Sequence, residues 1–328
     1  MIVGPLKKGL QSALPVLIPF FILFICLVYF SVNNSLSIDS RNILYNLLQK
    51  QFLSAWIIFI VNIFCLVAGS FLISVLTIKH EIADKQNYLP AFLYLFFSSL
   101  VLDKNLLHPA LIANIFILVA LNSLIDTYRD ENVLSKIFNA AFFTILAVFF
   151  YLNYAFFIFL FFIGLIILRP FNWRELAMSI FGFIAPVFMY ICFCYLINAD
   201  YIVFFTDLFD LLSFFQKPLI SEYYYPLLFA LCILLVLCTA KHFSKGFGGK
   251  VKTQKAISII YWFLLLSFIN FFSKNNDYYF PTIASTIPLS ILFSDYFYNI
   301  KQLKISNTLF FLLLASGSVL FLMRFHIF

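Results

Sequence analysis

The sequence predicts an all-α fold: a polytopic bundle of about eleven transmembrane helices that forms one integral membrane domain over residues 1–328. Three observations support this. The chain is 64% apolar and only 11% charged, its mean hydropathy is +1.02, and apolar runs of about 20 residues recur with no long polar segment between them. A soluble domain is typically about 45 to 50% apolar and about 25% charged, so water is excluded as the main solvent of this chain.

Charged residues and Pro/Asn clusters divide the chain into apolar runs, which mark the predicted crossings. The first run follows Lys7 and Lys8 and has no A-x-A cleavage site, so we expect it to stay as an anchor. Tight turns at 103–105 and 153–154 predict two helical hairpins, and three crossings are short for a bilayer (88–102, 155–168 and 226–240). The eleven predicted crossings lie near 14–32, 54–78, 88–102, 106–125, 137–153, 155–168, 176–197, 226–240, 256–273, 278–297 and 305–323.

Orientation follows from the distribution of positive charge, since short cytoplasmic loops retain Lys and Arg. Of the 21 Lys and Arg residues, fifteen fall on one side of the predicted bundle and six on the other. The sequence therefore predicts a multi-pass protein of the bacterial inner membrane, with a cytoplasmic N-terminus and a periplasmic C-terminus at Phe328. Asp295 is an acid inside a predicted crossing, near its cytoplasmic end.

Two outer segments are longer than a turn. Residues 33–53 and 198–225 place charged residues among apolar residues at helical spacing, which predicts amphipathic helices lying at the membrane interface. The positive charges are dispersed, without the basic face that nucleic acid requires, so we expect no nucleic-acid partner. The His and Cys residues form no ligand spacing, so we expect neither a metal nor a cofactor.

The layout resembles a known enzyme class at three places. The first outer loop carries an acid, Asp39. The stretch 114–168 reads as a helix, a short polar link, a small-residue helix and a tight aromatic turn. Residues 273–281, Ser-Lys-Asn-Asn-Asp-Tyr-Tyr-Phe-Pro, place charged and then aromatic residues before the start of a late predicted helix. Together these features resemble the layout of the C-type membrane glycosyltransferases. The chain also resembles a family of bacterial multi-pass membrane proteins that has this layout.

The resemblance implies a polyprenyl-phosphate sugar donor, used at the outer leaflet, and membrane lipids as partners. Such a transfer needs a carboxylate base and cations at the departing phosphate. In this chain the acid of the first loop stands alone, where the transferases usually carry an acidic pair. We expect the site to comprise Asp39 and Asp103 as catalytic acids, and Arg41, Lys274, Tyr278 and Tyr279 as the residues that hold the substrate and its phosphate.

The four charged residues of this set also have a plain structural interpretation. Asp39 and Arg41 fit the polar face of an interfacial helix, Asp103 fits a turn, and Lys274 fits a solvated loop. A non-enzymatic scaffold or subunit of an envelope assembly is therefore the alternative function. A transporter is less favoured, because few charged residues lie in mid-membrane and no inverted repeat is evident. An outward cavity with converging acids and cations would indicate the enzyme, and a sealed aromatic core the scaffold.

Overall fold

The fold was analysed in a computed structural model, which describes residues 55–82, 87–100, 108–130, 132–197, 202–213, 225–244, 251–272, 283–300 and 303–325. About 90% of these residues are helical, and no strand occurs among them. The all-α prediction is confirmed for this part of the chain. The described α-helices are α1 Ala55–Lys79, α2 Leu89–Ser99, α3 Pro109–Ile125, α4 Val133–Phe150, α5 Phe157–Leu168, α6 Trp173–Ile197, α7 Ile202–Ser213, α8 Tyr225–Ser244, α9 Val251–Phe271, α10 Thr286–Asn299 and α11 Leu303–Phe325.

Ten of the eleven predicted crossings coincide with a described helix, and the first, at 14–32, lies outside the described residues. Three helical stretches are long and apolar enough to cross a membrane: Ile57–Lys79, Val133–Phe150 and Trp173–Leu196. The number of crossings stays a prediction. α7 is an additional helix and lies within 198–225, where the sequence predicts an amphipathic one. The other predicted interfacial helix, at 33–53, lies outside the described residues.

Several helices are shorter than a bilayer is thick. α2, α5 and α10 contain 11, 12 and 14 residues. At about 1.5 Å per residue they extend roughly 16 to 21 Å, against about 30 Å for a hydrocarbon core. α8 differs from its prediction, because it continues to Ser244 and contains 20 residues. The prediction ended this helix too early, because its last turn, Lys-His-Phe-Ser, is more polar than the apolar run before it.

Local sequence explains where the helices begin and end. α3 starts at Pro109 and α2 has Pro90 as its second residue, and a proline in the first turn needs no amide partner. At the start of α3, His108 Nδ1 accepts a hydrogen bond from the Ala110 amide at 3.2 Å. α1 ends in a Schellman motif, in which Ile82 N donates to Thr77 O and Glu81 N to Ile78 O. Glu81 takes the left-handed conformation this motif requires, with φ 56°.

The helices pack in an order that differs from the chain order. α3 packs against α4, α4 against α6, and α1 against both α2 and α3, while α2 also packs against α10. α5 packs against α9, and α8 against α11. The predicted hairpin of 88–102 with 106–125 is therefore not a closely packed pair, because α1 contacts both helices instead. The second predicted hairpin, α4 with α5, is confirmed as neighbours joined by the short 3-10 helix Leu152–Phe156.

Candidate functional site

All six predicted site residues lie outside the described residues. The described helices nevertheless show where the segments that carry them begin and end. Residues 101–107, with Asp103, connect α2 to α3, and residues 273–282, with Lys274, Tyr278 and Tyr279, follow α9. Asp39 and Arg41 precede α1. The described residues that follow 101–107 and 273–282 lie at one end of the bundle, since Ile283 is bonded to Asn114 in the first half of α3.

We call this end the aromatic end and define it by His108, Asn114, Tyr151, Tyr154 and Ile283, which are all buried. Asn114 Nδ2 donates to the carbonyl oxygen of Ile283 at 3.1 Å. The Tyr154 hydroxyl donates to Asn114 Oδ1 at 2.5 Å and lies 3.4 Å from the carbonyl oxygen of Ala110. One asparagine thus ties together α3, the 3-10 helix after α4, and the 3-10 helix Ile283–Ser285 that leads into α10.

Aromatic rings continue this network through edge-to-face contacts, a favoured ring geometry. Tyr151 meets His108 with ring centres 5.9 Å apart and Tyr154 at 5.2 Å. Tyr154 then meets Phe157 at 5.0 Å, and Phe157 meets Phe263 of α9 at 4.6 Å. The line of rings connects the start of α3 to α9, so the aromatic end is held by packing as well as by hydrogen bonds.

A close contact between α1 and α2 completes the aromatic end. Tyr94 is fully buried, and its hydroxyl lies near Asn114 and Ser98 without a well-formed hydrogen bond to either. A Cβ atom added at Gly69 of α1 would lie 2.5 Å from this hydroxyl and 2.7 Å from the ring carbon Cε1. Gly69 therefore leaves the space that Tyr94 occupies beside the asparagine.

A narrow apolar crevice, partly open to the surface, lies between α8, α9 and α10. Its walls are almost entirely aliphatic and aromatic, with Leu231 and Leu264 among them, and Cys232 exposed on one side. Ser285 and Leu289 line the part nearest the aromatic end. Ser285 belongs to the same 3-10 helix as Ile283, so the crevice reaches the segment bonded to Asn114.

The opposite end carries charge, and we call it the basic end, defined by Lys79, Asp126, Lys136, Arg169 and Lys255. Lys79 pairs with Asp126, linking α1 to the loop after α3, and Lys136 pairs with Asp130 in that loop. Arg169 Nε lies 3.1 Å from Glu175 Oε1, and its Nη1 donates to Thr127 O at 2.8 Å. Residues predicted to share the cytoplasmic side are thus in contact with one another.

His80 is a fully buried titratable group of the basic end, with a relative exposure of 0%. Its Nε2 lies 3.0 Å from Asn122 Oδ1 of α3, a bond in which the imidazole donates. Burial lowers the pKa of His80 to about 4; the Asn122 bond and the charge of Asp126 oppose this shift, and Lys252 and Lys79 add to it. His80 is therefore neutral at ordinary pH.

Asp295 lies at the same end as a half-buried residue of α10. Its Oδ1 accepts a hydrogen bond from Asn299 Nδ2 at 2.6 Å, and Lys241 lies 5.0 Å from the ring centre of the adjacent Tyr296. This acid therefore has polar partners near a helix end.

Sequence reasoning did not identify Asn114, Tyr154 or His80 as important residues. A signal was present for Asn114, because an amide inside an otherwise apolar run must find buried partners. The partners themselves are distant in sequence: 40 residues separate Asn114 from Tyr154, and 169 separate it from Ile283. Pairings over such separations cannot be inferred from one sequence.

Within the described ranges, no group of three His, Cys, Asp or Glu side chains could hold a metal ion. Comparison of the chain with protein families, with curated proteins and with solved structures found no match.

Proposed function

We propose that the chain is an integral membrane protein of the bacterial inner membrane, with its basic end in the cytoplasm and its aromatic end at the outer face. The three long apolar helices and the overall composition support this. The described Lys, Arg, Asp and Glu residues lie in loops, in α7, or in the first or last two turns of other helices. This is the distribution that a hydrocarbon core imposes.

We further propose that the protein transfers a sugar from a polyprenyl-phosphate carrier at the outer leaflet. A single observation carries this proposal: the 3-10 helix Ile283–Ser285 joins three features. Its Ser285 lines the apolar crevice, and it directly follows the segment that contains Lys274. Its Ile283 accepts a hydrogen bond from Asn114 of α3, the helix that follows the segment with Asp103. A crevice lined by apolar side chains suits an isoprenoid chain, and its phosphate would then lie beside Lys274.

The chemistry assigns a role to each predicted residue. Asp39 or Asp103 takes the proton of the acceptor hydroxyl as its oxygen bonds to the anomeric carbon of the sugar. The bond from that carbon to the phosphate oxygen breaks, and the carrier phosphate leaves with the electron pair. Lys274 and Arg41 stabilise the growing negative charge, and Tyr278 and Tyr279 contact the substrate.

A non-enzymatic scaffold is the second candidate, and α6 favours it. This helix packs against α4, and Gly182 permits the approach: a Cβ there would lie 2.8 Å from the Phe138 carbonyl oxygen. Outside this contact α6 exposes large apolar side chains, including Phe181, Phe188 and Leu196. An exposed apolar surface of this kind can bind another membrane protein.

Reconstituted vesicles test the transferase. The purified chain is supplied with a panel of polyprenyl-phosphate-linked hexoses and a host membrane extract as the acceptor source, and loss of sugar from the carrier is measured. We expect Asp39→Asn to abolish transfer. The matched control is Asp126→Asn, which removes one carboxylate at the basic end and should retain transfer. Wild-type protein that consumes no donor would favour the scaffold, and an active Asp39→Asn protein would remove Asp39 from the mechanism.

The crevice has its own test, independent of turnover. Two variants each retain one cysteine: Cys232, which lines the crevice, or Cys192, which is exposed on α6. We expect polyprenyl phosphate to slow alkylation of Cys232 by a membrane-permeant maleimide, and to leave Cys192 unaffected. Equal rates with and without the lipid at Cys232 would show that the crevice does not hold the chain.

A further inference from the structure

The ion pairs of the basic end do not involve all of its described cations. Lys79, Lys136 and Arg169 engage Asp126, Asp130 and Glu175. Three of the other cations lie on the loop after α3 or in the first two turns of α9, and we call them the cationic patch: Arg129, Lys252 and Lys255.

Tyr128 organises this patch. The Arg129 guanidinium lies 5.4 Å from the centre of the Tyr128 ring, and Lys255 Nζ lies 5.1 Å from the same centre. Both distances are within the range of a cation–π contact. Lys255 Nζ also donates to the carbonyl oxygen of Leu168, the last residue of α5, at 3.1 Å. Two positive groups are thus held beside one aromatic ring.

The location of the lysines is electrostatically unfavourable. α9 begins at Val251 with no acidic residue in its first turn, so Lys252 lies close to the positive end of the helix dipole. α4 provides the comparison within the same chain: its early lysine, Lys136, is neutralised by Asp130. No carboxylate among the described residues does the same for α9.

The backbone at the patch is also unusual. Arg129 has φ 55°, a left-handed conformation that L side chains rarely adopt. This conformation sets an exposed guanidinium beside Tyr128. Non-glycine residues in such conformations are over-represented at ligand sites. A guanidinium presents paired donors that match the oxygens of a phosphate group.

We propose that the cationic patch binds the phosphate group of an anionic ligand at the basic end of the bundle. A phosphate there neutralises the start of α9, accepts hydrogen bonds from Arg129 and Lys252, and uses the remaining donors of Lys255. The head group of an anionic phospholipid and a soluble phosphate share this chemistry. The site is separate from the aromatic end and does not depend on the proposed sugar transfer.

The experiment uses the full chain and compares two double variants that remove equal charge. Arg129→Gln/Lys252→Gln disrupts the patch, and Arg174→Gln/Lys241→Gln removes two cations elsewhere at the basic end. Each protein is titrated in zwitterionic detergent with dioctanoyl phosphatidic acid or with inorganic phosphate, and the thermal unfolding midpoint is followed. A ligand that binds the folded state raises this midpoint.

We expect the wild type and the Arg174/Lys241 control to be stabilised, with the patch variant weakened roughly tenfold per cation removed, the size of a charge-assisted hydrogen bond. Stabilisation by the lipid alone identifies a head group, and stabilisation by inorganic phosphate identifies a soluble ligand. Equal weakening of both double variants, or no stabilisation of the wild type, would overturn the proposal. Lys252→Gln alone, with Lys252→Arg as the charge-retaining control, tests it if the double variant does not fold.

Discussion

The two ends of the bundle join several helices by different means. At the aromatic end, neutral groups that are almost fully buried form short hydrogen bonds, as between Tyr154 and Asn114. At the basic end, charged groups that are partly exposed form ion pairs: the side chains of Lys79 and Asp126 are 44% and 17% exposed. In a buried neutral network, few side-chain arrangements satisfy every hydrogen-bonding group. In a solvent-exposed ion pair, many arrangements have similar energy.

This difference suggests different roles. The aromatic end fixes the points from which the segments with Asp103 and Lys274 extend, as a catalytic or binding site requires. The basic end carries the charges on which the proposed orientation and the proposed phosphate site depend, and both roles tolerate movement. His80 is the exception, because it is buried among charges yet neutral.

The largest effect is expected from replacing asparagine by leucine in α3, and we compare this change at Asn114, near the aromatic end, and at Asn122, near the basic end. Asn114→Leu removes the bonds to Tyr154 and to the Ile283 carbonyl and leaves buried groups unpaired, so it should lower the free energy of unfolding by roughly 3–4 kcal/mol. Asn122→Leu removes a bond from a half-buried position that water reaches, and should cost about 1 kcal/mol. Denaturant unfolding in detergent measures both. Equal losses would contradict the comparison.

The second prediction concerns pH at the basic end. The folded-state pKa of His80 is about 4, below its ordinary value of 6.5, so the unfolded chain binds the proton first. Stability is retained above about pH 6.5 and is lost as the pH falls towards 4, by roughly 3 kcal/mol in all. Unfolding is measured across this range for the wild type and for His80→Gln.

The glutamine variant still donates a hydrogen bond to Asn122 but does not titrate. Its stability should therefore decline less than that of the wild type below pH 6.5, and the gap should widen as the pH falls. Parallel curves for the two proteins would mean that His80 does not control the acid sensitivity of the basic end.

The third prediction tests the close approach of α1 and α2. Gly69→Ala places a methyl group 2.5 Å from the hydroxyl of Tyr94, whose ring is fully buried. Overpacking of this kind costs about 2 kcal/mol. Ser70→Ala, at the next position of the same helix, should change the thermal unfolding midpoint little. A neutral Gly69→Ala would show that the aromatic end is less rigid than its contacts indicate.

The sequence predicts the helices well and their contacts poorly, for physical reasons. Apolar runs and helix breakers are local, so the positions of α3, α4 and α6 follow from composition alone. The neighbours of α2 do not, since Gly69 and Tyr94 become partners only after α1 and α2 have packed. The grouping of Lys79, Lys136 and Arg169 at one end was also predictable, because positive charge is distributed by a simple rule.

The candidate site was predictable only as a location. The sequence indicates that Asp103 and Lys274 lie at outer helix ends, and the convergence of these two residues stays a prediction. The sequence does not predict the hydrogen bond from Asn114 to the Ile283 carbonyl. This bond joins α3, which follows the Asp103 segment, to the 3-10 helix before α10, which follows the Lys274 segment. An amide in an apolar run indicates that a partner exists without indicating which one.

The smallest effect is expected for the ion pair between Lys79 and Asp126. Partly exposed pairs contribute about 0–1 kcal/mol, because water and side-chain entropy offset the attraction. A double-mutant cycle with Lys79→Gln and Asp126→Asn measures the coupling, which should be below about 1 kcal/mol and should weaken as salt is added. The same cycle with Asn114→Leu and Tyr154→Phe should give a larger coupling that is insensitive to salt. If the ion pair gave the larger coupling, or if the Asn114–Tyr154 coupling fell with salt, charge would hold both ends and the distinction between them would fail.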